Sequence, residues 1–390
     1  MALSCGFTAS ARAIAASTSS TGDTHLRCSA PTWSLASKFK TSAIFWGGCA
    51  GAFIRKPYAV AMRVLAALDK FRGTATAQEA CAAVGHACWE LGIDCDEAPL
   101  ADGGEGTLDV LGGPNRTSMV TGPLGDMVEA PWRLSRDVAV IEMARASGLQ
   151  LVGGAERNDP IAASTTGTGE LIDQALDAGA KKIIVCLGGS ATTDGGYGAV
   201  RAIHAPARLK AVEFLIACDV TTPFTQAAKI FGPQKGATLR HIALLTGRLE
   251  RLQQIYAEQY GVDVSTIEGA GAAGGLAGGL AALGATLVPG FDVVAEEIDL
   301  DTRAENCDVV FTGEGFLDAQ SFDGKVVGSM YDLALSKKKQ LCAIVGDADS
   351  TLTPPFSVLN LVQLYGNDTA MNRTLFSIEQ AALGYLKKLN

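Results

Sequence analysis

The residues best suited to chemistry lie in three glycine-rich stretches, "LGGSATTDGGYG" (187–198), "ADGGEGT" (101–107) and "TGEGFLDAQS" (312–321). Bare glycine backbone lets amide N–H groups approach an anionic oxygen closely, and a neighbouring acid can hold Mg²⁺ or accept a proton from a hydroxyl. Together the three stretches predict a site for a phosphate or another oxyanion. Each stretch alone would equally suit a turn that joins two elements, and Asp194 alone would suit a helix N-cap.

The elements that must position these residues follow from the apolar pattern. Apolar runs without polar alternation occupy 63–68, 181–187, 212–218, 307–312 and 340–346, and helix-like stretches such as 76–92 and 167–180 lie between them. This pattern is typical of parallel strands covered by helices on both faces. Residues 117–144 differ, because their Gly-Pro and Leu-Gly-Asp turns predict hairpins. We therefore predict an α/β fold with two α/β units.

Ligands of an open parallel sheet bind beyond the carboxyl ends of its strands, where loops and helix N-termini meet. One polar loop at such an end would be ordinary, whereas four indicate a single site. The candidates at these ends are Asp69, Lys70, Gly188, Gly189, Ser190, Thr193, Asp194, Gly195, Gly196, Asp219, Gly313, Glu314, Gly315 and Asp318. Lys70, Lys235 and Lys325 are the available cations. Neither a GxxxxGK[ST] loop nor a GxGxxG after the first strand is present, which disfavours a Walker loop and a nicotinamide dehydrogenase.

Charge and cysteine usage narrow the class of protein. The body after residue 61 holds more acids than bases and has no basic cluster, which argues against a nucleic-acid partner and suggests that a polyanionic substrate would arrive with a divalent metal. The 10 cysteines form no CxxC pair and no metal-ligand spacing with histidine. We expect core thiols in a reducing compartment.

Two segments need separate interpretations. Residues 1–61 are rich in Ala and Ser, with six basic residues against one acid, Asp23. This composition is typical of an organelle transit peptide, and the alternative is an untranslated or disordered leader with Met62 as the working start. Residues 269–288 are uncharged and long enough to span a membrane, but they carry few large side chains. A Gly/Ala helix packed closely against another element is the favoured interpretation.

The chain resembles the two-domain glycerate kinases of the bacterial type. The stretches that carry the resemblance are "LDKFRGTATAQEA", "PLADGGEGTLDVL", "TGPLGDMVEA", "IEMARASGL", "TTGTGELI", "LGGSATTDGGYG", "ACDVTTP", "FGPQKGA", "GAGAAGGLAGGL" and "TGEGFLDAQSFDGK", in the family's order. The resemblance covers about residues 63–346. It implies phosphorylation of D-glycerate with ATP and Mg²⁺, with the 2-phosphoglycerate product favoured over 3-phosphoglycerate. The expected binding partner is therefore D-glycerate. The resemblance does not decide whether the protein forms a homo-oligomer.

The resemblance also implies a Rossmann-like parallel-sheet domain, 62–115 plus 300–390, into which a second α/β domain, 116–299, is inserted. The active site is expected in the cleft between them, and the first strands are expected to pair with strands after about residue 300. If the leader is a transit peptide, the enzyme is expected in a plastid or mitochondrion, and otherwise in the cytoplasm.

Site roles follow from the resemblance and from the chemistry of phosphoryl transfer, which needs positioning and charge neutralisation. Lys70, Asp194 and Asp318 are expected to be catalytic, with Asp194 and Asp318 also at the metal. The expected substrate- and nucleotide-binding residues are Asp69, Asp102, Gly103, Gly104, Glu105, Gly188, Gly189, Ser190, Thr193, Gly195, Gly196, Asp219, Lys235, Gly313, Glu314, Gly315, Gln320, Ser321 and Lys325. Which loop holds ATP and which holds glycerate stays open.

Three departures from the family pattern bear on activity. Thr193 replaces a usual Asn, Phe316 replaces a usual Arg, and only "APARLKAVEFLI" separates "GGYGAVRAIH" from "ACDV", where the family has a longer segment. The missing part would form a strand and a wall of the substrate cleft. The alternatives to an active glycerate kinase are therefore a catalytically impaired binding or regulatory protein, because of the shortened 204–212 region, and a kinase for another small hydroxy acid.

Overall fold

The computed structural model describes residues 62–389 except 72 and 323, so the predicted leader lies outside the described residues. All described residues belong to one compact unit, Pro57–Asn390. The strands of this part of the chain are β1 (Arg63–Ala66), β2 (Asp94–Glu97), β3 (Arg116–Thr121), β4 (Met127–Ser135), β5 (Val138–Glu142), β6 (Lys182–Cys186), β7 (Glu213–Ala217), β8 (Thr286–Val288), β9 (Val309–Leu317), β10 (Gln340–Ala348) and β11 (Ser357–Asn360).

Helices connect and cover these strands. They are α1 (Ala77–Glu90), α2 (Thr107–Val110), α3 (Ala144–Ser147), α4 (Thr166–Asp177), α5 (Tyr197–Ala202), α6 (Ala227–Phe231), α7 (Leu239–Tyr260), α8 (Ala272–Ala282), α9 (Gly290–Glu297), α10 (Leu300–Glu305), α11 (Val326–Ser336), α12 (Leu361–Tyr365), α13 (Asn367–Asn372) and α14 (Thr374–Leu389). Short 3₁₀ turns lie at Gln150–Val152, Pro206–Ala211, Phe224–Gln226, Pro233–Lys235, Val264–Thr266 and Ala319–Phe322.

The first sheet has the strand order β11-β10-β9-β1-β2, and every neighbouring pair is parallel. Strand β1 pairs with β9, as predicted for the first strand. Both faces are buried: Val64 and Ala66 pack towards α1 and α14, while Leu65 packs with Phe291 and Met330 on the other face. This double coverage explains why the strands read as apolar runs without alternation.

The second sheet has the order β3-β4-β5-β6-β7-β8. The hairpins predicted over 117–144 are confirmed, because β3, β4 and β5 pair antiparallel. The four strands from β5 to β8 are parallel, and β6 is buried along its whole length. The α/β prediction is therefore correct. The strands of the first sheet all lie within 62–115 and 300–390, and those of the second sheet all lie within 116–299. The domain boundaries themselves stay a prediction.

The Gly/Ala stretch forms helix α8, whose small residues are almost all buried. Gly196 lies against the backbone of Leu276 and Gly279, with its φ at 75°, so loop 192–196 packs directly on the helix. Within residues 62–389, apart from 72 and 323, we find no helix long and apolar enough to cross a membrane. The prediction of a closely packed Gly/Ala helix is confirmed.

Candidate active site

A cavity of about 900 Å³ opens where the carboxyl ends of both parallel sheets meet. It brings together ten of the residues predicted from the sequence. From the first sheet's side come Lys70, Asp102, Gly104, Glu105 and Lys325, and from the second come Gly188, Gly189, Ser190, Asp219 and Lys235. Parallel strands place their connecting loops at one edge, which is why residues so far apart in sequence share one wall.

The wall beside the first sheet is organised around Lys70, two residues beyond Leu68 at the end of β1's apolar run. Its Nζ atom donates to the backbone oxygen of Glu105 at 2.7 Å and lies 3.6 Å from Oδ1 of Asp102. The same Asp102 oxygen accepts from the amide of Gly104 at 3.3 Å. Lys70 therefore holds the "ADGGEGT" loop in place and presents a cation to the cavity.

Sequence reasoning did not single out Glu142, which supports this loop from β5. The side chain is buried, and its Oε1 accepts from the amides of Gly106 and Leu108 at 2.8 and 2.9 Å. Its Oε2 accepts from Nε of Arg145 at 3.0 Å. The only signal in the sequence was an acid ending an apolar run, in "IEMARASGL". Its partners show that Glu142 positions the loop that carries Asp102.

The wall beside the second sheet begins directly after β6. The amide N–H groups of Gly188, Gly189 and Ser190 have no hydrogen-bond partner among the described residues. Gly189 has a φ of 60°, and a Cβ atom there would overlap Oε1 of Glu105. Unpaired amides beside bare backbone can bind an oxyanion. This part of the predicted glycine loop therefore faces the cavity in a form suited to that role.

Lys235, in the turn Pro233–Lys235, is a buried cation of the same wall. Only 2% of the residue is exposed, and its Nζ donates to the backbone oxygen of Thr192 at 2.6 Å. Burial lowers the pKa of this ammonium to about 7, and the charge of Asp194 partly opposes that shift. The protein therefore stabilises the positive charge of the Lys235 ammonium only weakly.

Asp219 follows β7 and lies near Asp102. Its Oδ1 accepts from the amide of Gly290 at 2.6 Å, and the backbone of Asp102 and Gly103 packs directly against Gly290. Burial raises the pKa of Asp219 to about 6, and the charges of Asp102 and Asp292 raise it further. Two carboxylates that repel each other at the edge of a cavity fit a divalent cation, because Mg²⁺ prefers oxygen ligands.

The structure does not bring Asp194 to this cavity wall. Its Oδ2 accepts from the amide and hydroxyl of Thr165 at 2.9 and 2.8 Å and from the amide of Gly198 at 3.1 Å. Its Oδ1 accepts from the amide of Gly196 at 3.1 Å. Asp194 thus anchors the start of α5 and the turn before α4. Its predicted role in catalysis and metal binding stays a prediction that this arrangement does not favour.

Other predicted residues also lie away from the cavity wall. Gly195 packs on leucine side chains of α7, and Gly196 packs on the backbone of α8. Thr193 is buried, and its hydroxyl has no partner among the described residues. Asp318 caps its own turn by accepting from Gln320 and Ser321. None of Asp102, Asp194, Asp219 and Asp318 belongs to the one metal-competent group of three ligands found among the described residues, which is His86, Glu90 and Glu379.

The end of the first sheet holds the remaining candidates. Burial raises the pKa of Glu314 to about 7, and one of its carboxylate oxygens is buried with no partner in the described part of the chain. Asp69 donates its amide to Gly313, and its Oδ1 accepts from the amide of Lys70 at 2.7 Å. Gly313 is buried against the backbone of Ile344, Gly315 is half-buried in β9, and Gly103 is buried beside Gly290. None of these five predicted residues lines the cavity.

Fold and cavity together define an α/β protein with two sheets and a cavity lined by lysines, carboxylates and glycine backbone. The sequence model of the Glycerate kinase family matches residues 64–208 and 203–380, and the chain belongs to this family. It is accordingly an enzyme of the kinase class.

Individual proteins of similar sequence and structure are also named glycerate kinases. Glycerate 2-kinase of Escherichia coli K12 is 38% identical over 325 residues, covering 73% of this chain and 85% of that enzyme. A glycerate kinase of Bacillus subtilis is 37% identical, covering 73% of this chain and 85% of its own length. The solved structure of "putative glycerate kinase 2" from Salmonella typhimurium LT2 is similar with a TM-score of 0.73 and 33% identity, covering 84% of this chain and 99% of that chain.

The comparisons also bear on the short connection after α5. The family match comes in two pieces that meet at residues 203–208. The alignment with the E. coli enzyme runs over 325 positions yet covers only 73% of this chain's 390 residues, so that enzyme has residues without a counterpart here. In the fold, the turn Pro206–Ala211 links α5 to β7, which pairs with β6 in register. The short link therefore preserves the sheet.

Proposed function

We propose that this chain transfers the terminal phosphoryl group of ATP to D-glycerate and releases 2-phosphoglycerate. The observation that carries the proposal is the cavity in which Lys70, Lys235 and Lys325 meet unpaired amides and the carboxylates Asp102 and Asp219. Phosphoryl transfer needs such a set, because it depends on positioning and on neutralising charge. The name of the E. coli relative, glycerate 2-kinase, supports the 2-position as the site of phosphorylation.

Mg²⁺ is part of this proposal, and the donor set fits it. Asp102, Glu105 and Asp219 line the cavity, and Asp102 and Asp219, which lie close together beside Gly290, are the residues that would hold the ion. When bound, Mg²⁺ neutralises charge on the nucleotide phosphates. Lys70 and Lys325 stand on the same wall as Asp102 and supply further positive charge for the phosphates.

The test supplies the full chain with ATP, Mg²⁺ and D-glycerate and follows ADP release with a coupled assay. Glycerate-dependent release is expected, and the coupling pattern in the phosphorus NMR spectrum of the product identifies the phosphorylated carbon. A phosphorus resonance coupled to the methine proton supports 2-phosphoglycerate, whereas coupling to the methylene protons would reassign the product to 3-phosphoglycerate. A panel of other small hydroxy acids tests the alternative substrate class.

A second candidate function is a binding protein of the same fold that has lost turnover. The observation that favours it is the short link between α5 and β7, at which the family match divides into two pieces. Such a protein would still be stabilised thermally by ATP but would release no ADP with glycerate. Restoring a segment of family length between residues 203 and 208 would then restore turnover.

We also propose that residues 1–61 direct the protein to a plastid or mitochondrion. The basis is their composition, which is rich in Ala and Ser with six basic residues and one acid. Fusing these residues to a fluorescent protein tests the proposal, and organellar fluorescence is expected. Diffuse cytoplasmic fluorescence would favour Met62 as the working start.

A further inference from the structure

The ammonium of Lys235 is the most deeply buried charge at the cavity wall. The residue is 2% exposed, and its Nζ donates to the backbone oxygen of Thr192 at 2.6 Å. The charge of Asp194 offsets only part of the cost of burying this ammonium, so an anion bound beside it would be stabilising. Because the residue lines the cavity, an anion that enters can bind there.

Neutral donors lie on the same wall beside Lys235. The amides of Gly188, Gly189 and Ser190 are unpaired within the described residues, and the hydroxyl of Ser190 also has no partner there. Nδ2 of Asn158 donates to the backbone oxygens of both Ala191 and Lys235, at 3.0 and 2.9 Å, and so fixes this loop to the lysine's turn. The ammonium of Lys235 and the donors of Gly188–Ser190 are therefore held in fixed positions on one wall.

The two ends of the cavity differ in charge. At one end, Nζ of Lys70 lies 3.6 Å from Asp102, and the charges of Asp102 and Lys325 act on Asp219. This set of two lysines and two acids suits a polyphosphate and its metal ion. At the other end, Lys235 shares the wall with the apolar residues Leu149, Phe231, Ala272 and Ala273. A single cation with neutral donors and apolar surroundings suits one carboxylate better than a triphosphate.

The carboxylate of Glu105 marks where the two ends meet. The Glu105 carboxylate lies directly beside the backbone of Gly189, which shows that a carboxylate fits there. A Cβ atom on residue 189 would fill that space. The residue is exposed, so its side chain is free to turn outwards. The glycine loop therefore has room for an oxygen anion where the unpaired amides are.

We propose, resting on the proposed function, that Lys235 and the amides of Gly188–Ser190 bind the carboxylate of D-glycerate. The nucleotide phosphates then occupy the end with Lys70 and Lys325. Lys235 thus selects small 2-hydroxy acids with a free carboxylate over neutral polyols and amides. The reacting hydroxyl of glycerate points towards the end with the phosphates, because its carboxylate is held at the other.

The experiment compares D-glycerate with D-glyceramide, which lacks the negative charge, in the full-length protein and in Lys235→Met. In the variant, the KM for glycerate should rise by about tenfold to a hundredfold, as for the loss of a hydrogen bond to a charged group. The KM for ATP and the rate with glyceramide should not change. Lys229→Met, an exposed lysine in α6, is the matched control and should behave like the unaltered protein.

Three results would overturn the proposal. The first is that Lys235→Met prefers glycerate over glyceramide as strongly as the unaltered protein does. This result counts against the proposal even if the variant melts at a lower temperature. The second is a rise in the KM for ATP alone, which would place a nucleotide phosphate at Lys235. The third is a failure of glycerate to protect the unaltered protein from thermal unfolding.

Thermal protection separates failure of this proposal from failure of the proposed function. If the unaltered protein shows no turnover but glycerate raises its melting temperature, the kinase activity fails. The carboxylate site still stands if Lys235→Met abolishes this protection, and it falls if the protection persists.

Discussion

Replacing Asp194 with asparagine separates a structural from a catalytic role for this residue. The carboxylate accepts four hydrogen bonds, from Thr165 through its amide and hydroxyl and from the amides of Gly196 and Gly198. An amide side chain has one oxygen, so its NH₂ group must face at least one of these donors. It also loses the negative charge that strengthens all four bonds.

The magnitude follows from this geometry. Losing one charge-assisted bond and weakening the other three should cost about 2–3 kcal/mol for this partly exposed side chain. For a folded unit of this size, each kcal/mol lowers Tm by about 1–2 °C, so a decrease of about 2–6 °C is expected. Because the carboxylate does not line the cavity wall, the KM for ATP and its dependence on Mg²⁺ should change little.

Differential scanning calorimetry and steady-state kinetics on the same preparation test this prediction. Asp332→Asn, an exposed acid on α11, serves as the matched control and should leave Tm unchanged. An unchanged Tm with a large loss of turnover in Asp194→Asn would refute the reasoning. It would return Asp194 to the metal or to the attacking hydroxyl.

Three further predictions follow from single contacts. Glu142→Ala removes the acceptor of two buried amides and the partner of Arg145, so chemical denaturation should show a loss of about 3–5 kcal/mol, with less in Glu142→Gln. Gly196→Ala should lower stability more than Gly125→Ala, because both have positive φ but only Gly196 has helix backbone about 3.1 Å from the added Cβ; equal losses would contradict the packing argument. The kcat/KM for glycerate should fall above about pH 7, where Lys235 loses its proton, and Lys235→Met should remove this alkaline limb of the profile.

The parts of the fold that the sequence predicted are those that depend on local pattern. Continuous apolar runs such as 181–187 predict strands with both faces covered, and β6 is buried throughout. The turns within 117–144 predict hairpins, and β3 to β5 form them. The rule that loops gather at the carboxyl ends of parallel strands then placed Lys70, Gly188 and Asp219 at one cavity.

Tertiary structure alone decided which polar residues in those loops face the cavity. The stretch "LGGSATTDGGYG" divides in two: Gly188–Ser190 line the cavity wall, whereas Asp194 bonds to Thr165 and Gly196 packs on α8. Asp194 also accepts from the amide and hydroxyl of Thr165, and Glu142 accepts from the amides of Gly106 and Leu108. These partners come from other segments, so spacing within a motif carries no information about them. Likewise, the burial of Lys235 beside Thr192 arises because two distant loops pack together, and that packing determines where an unpaired charge remains.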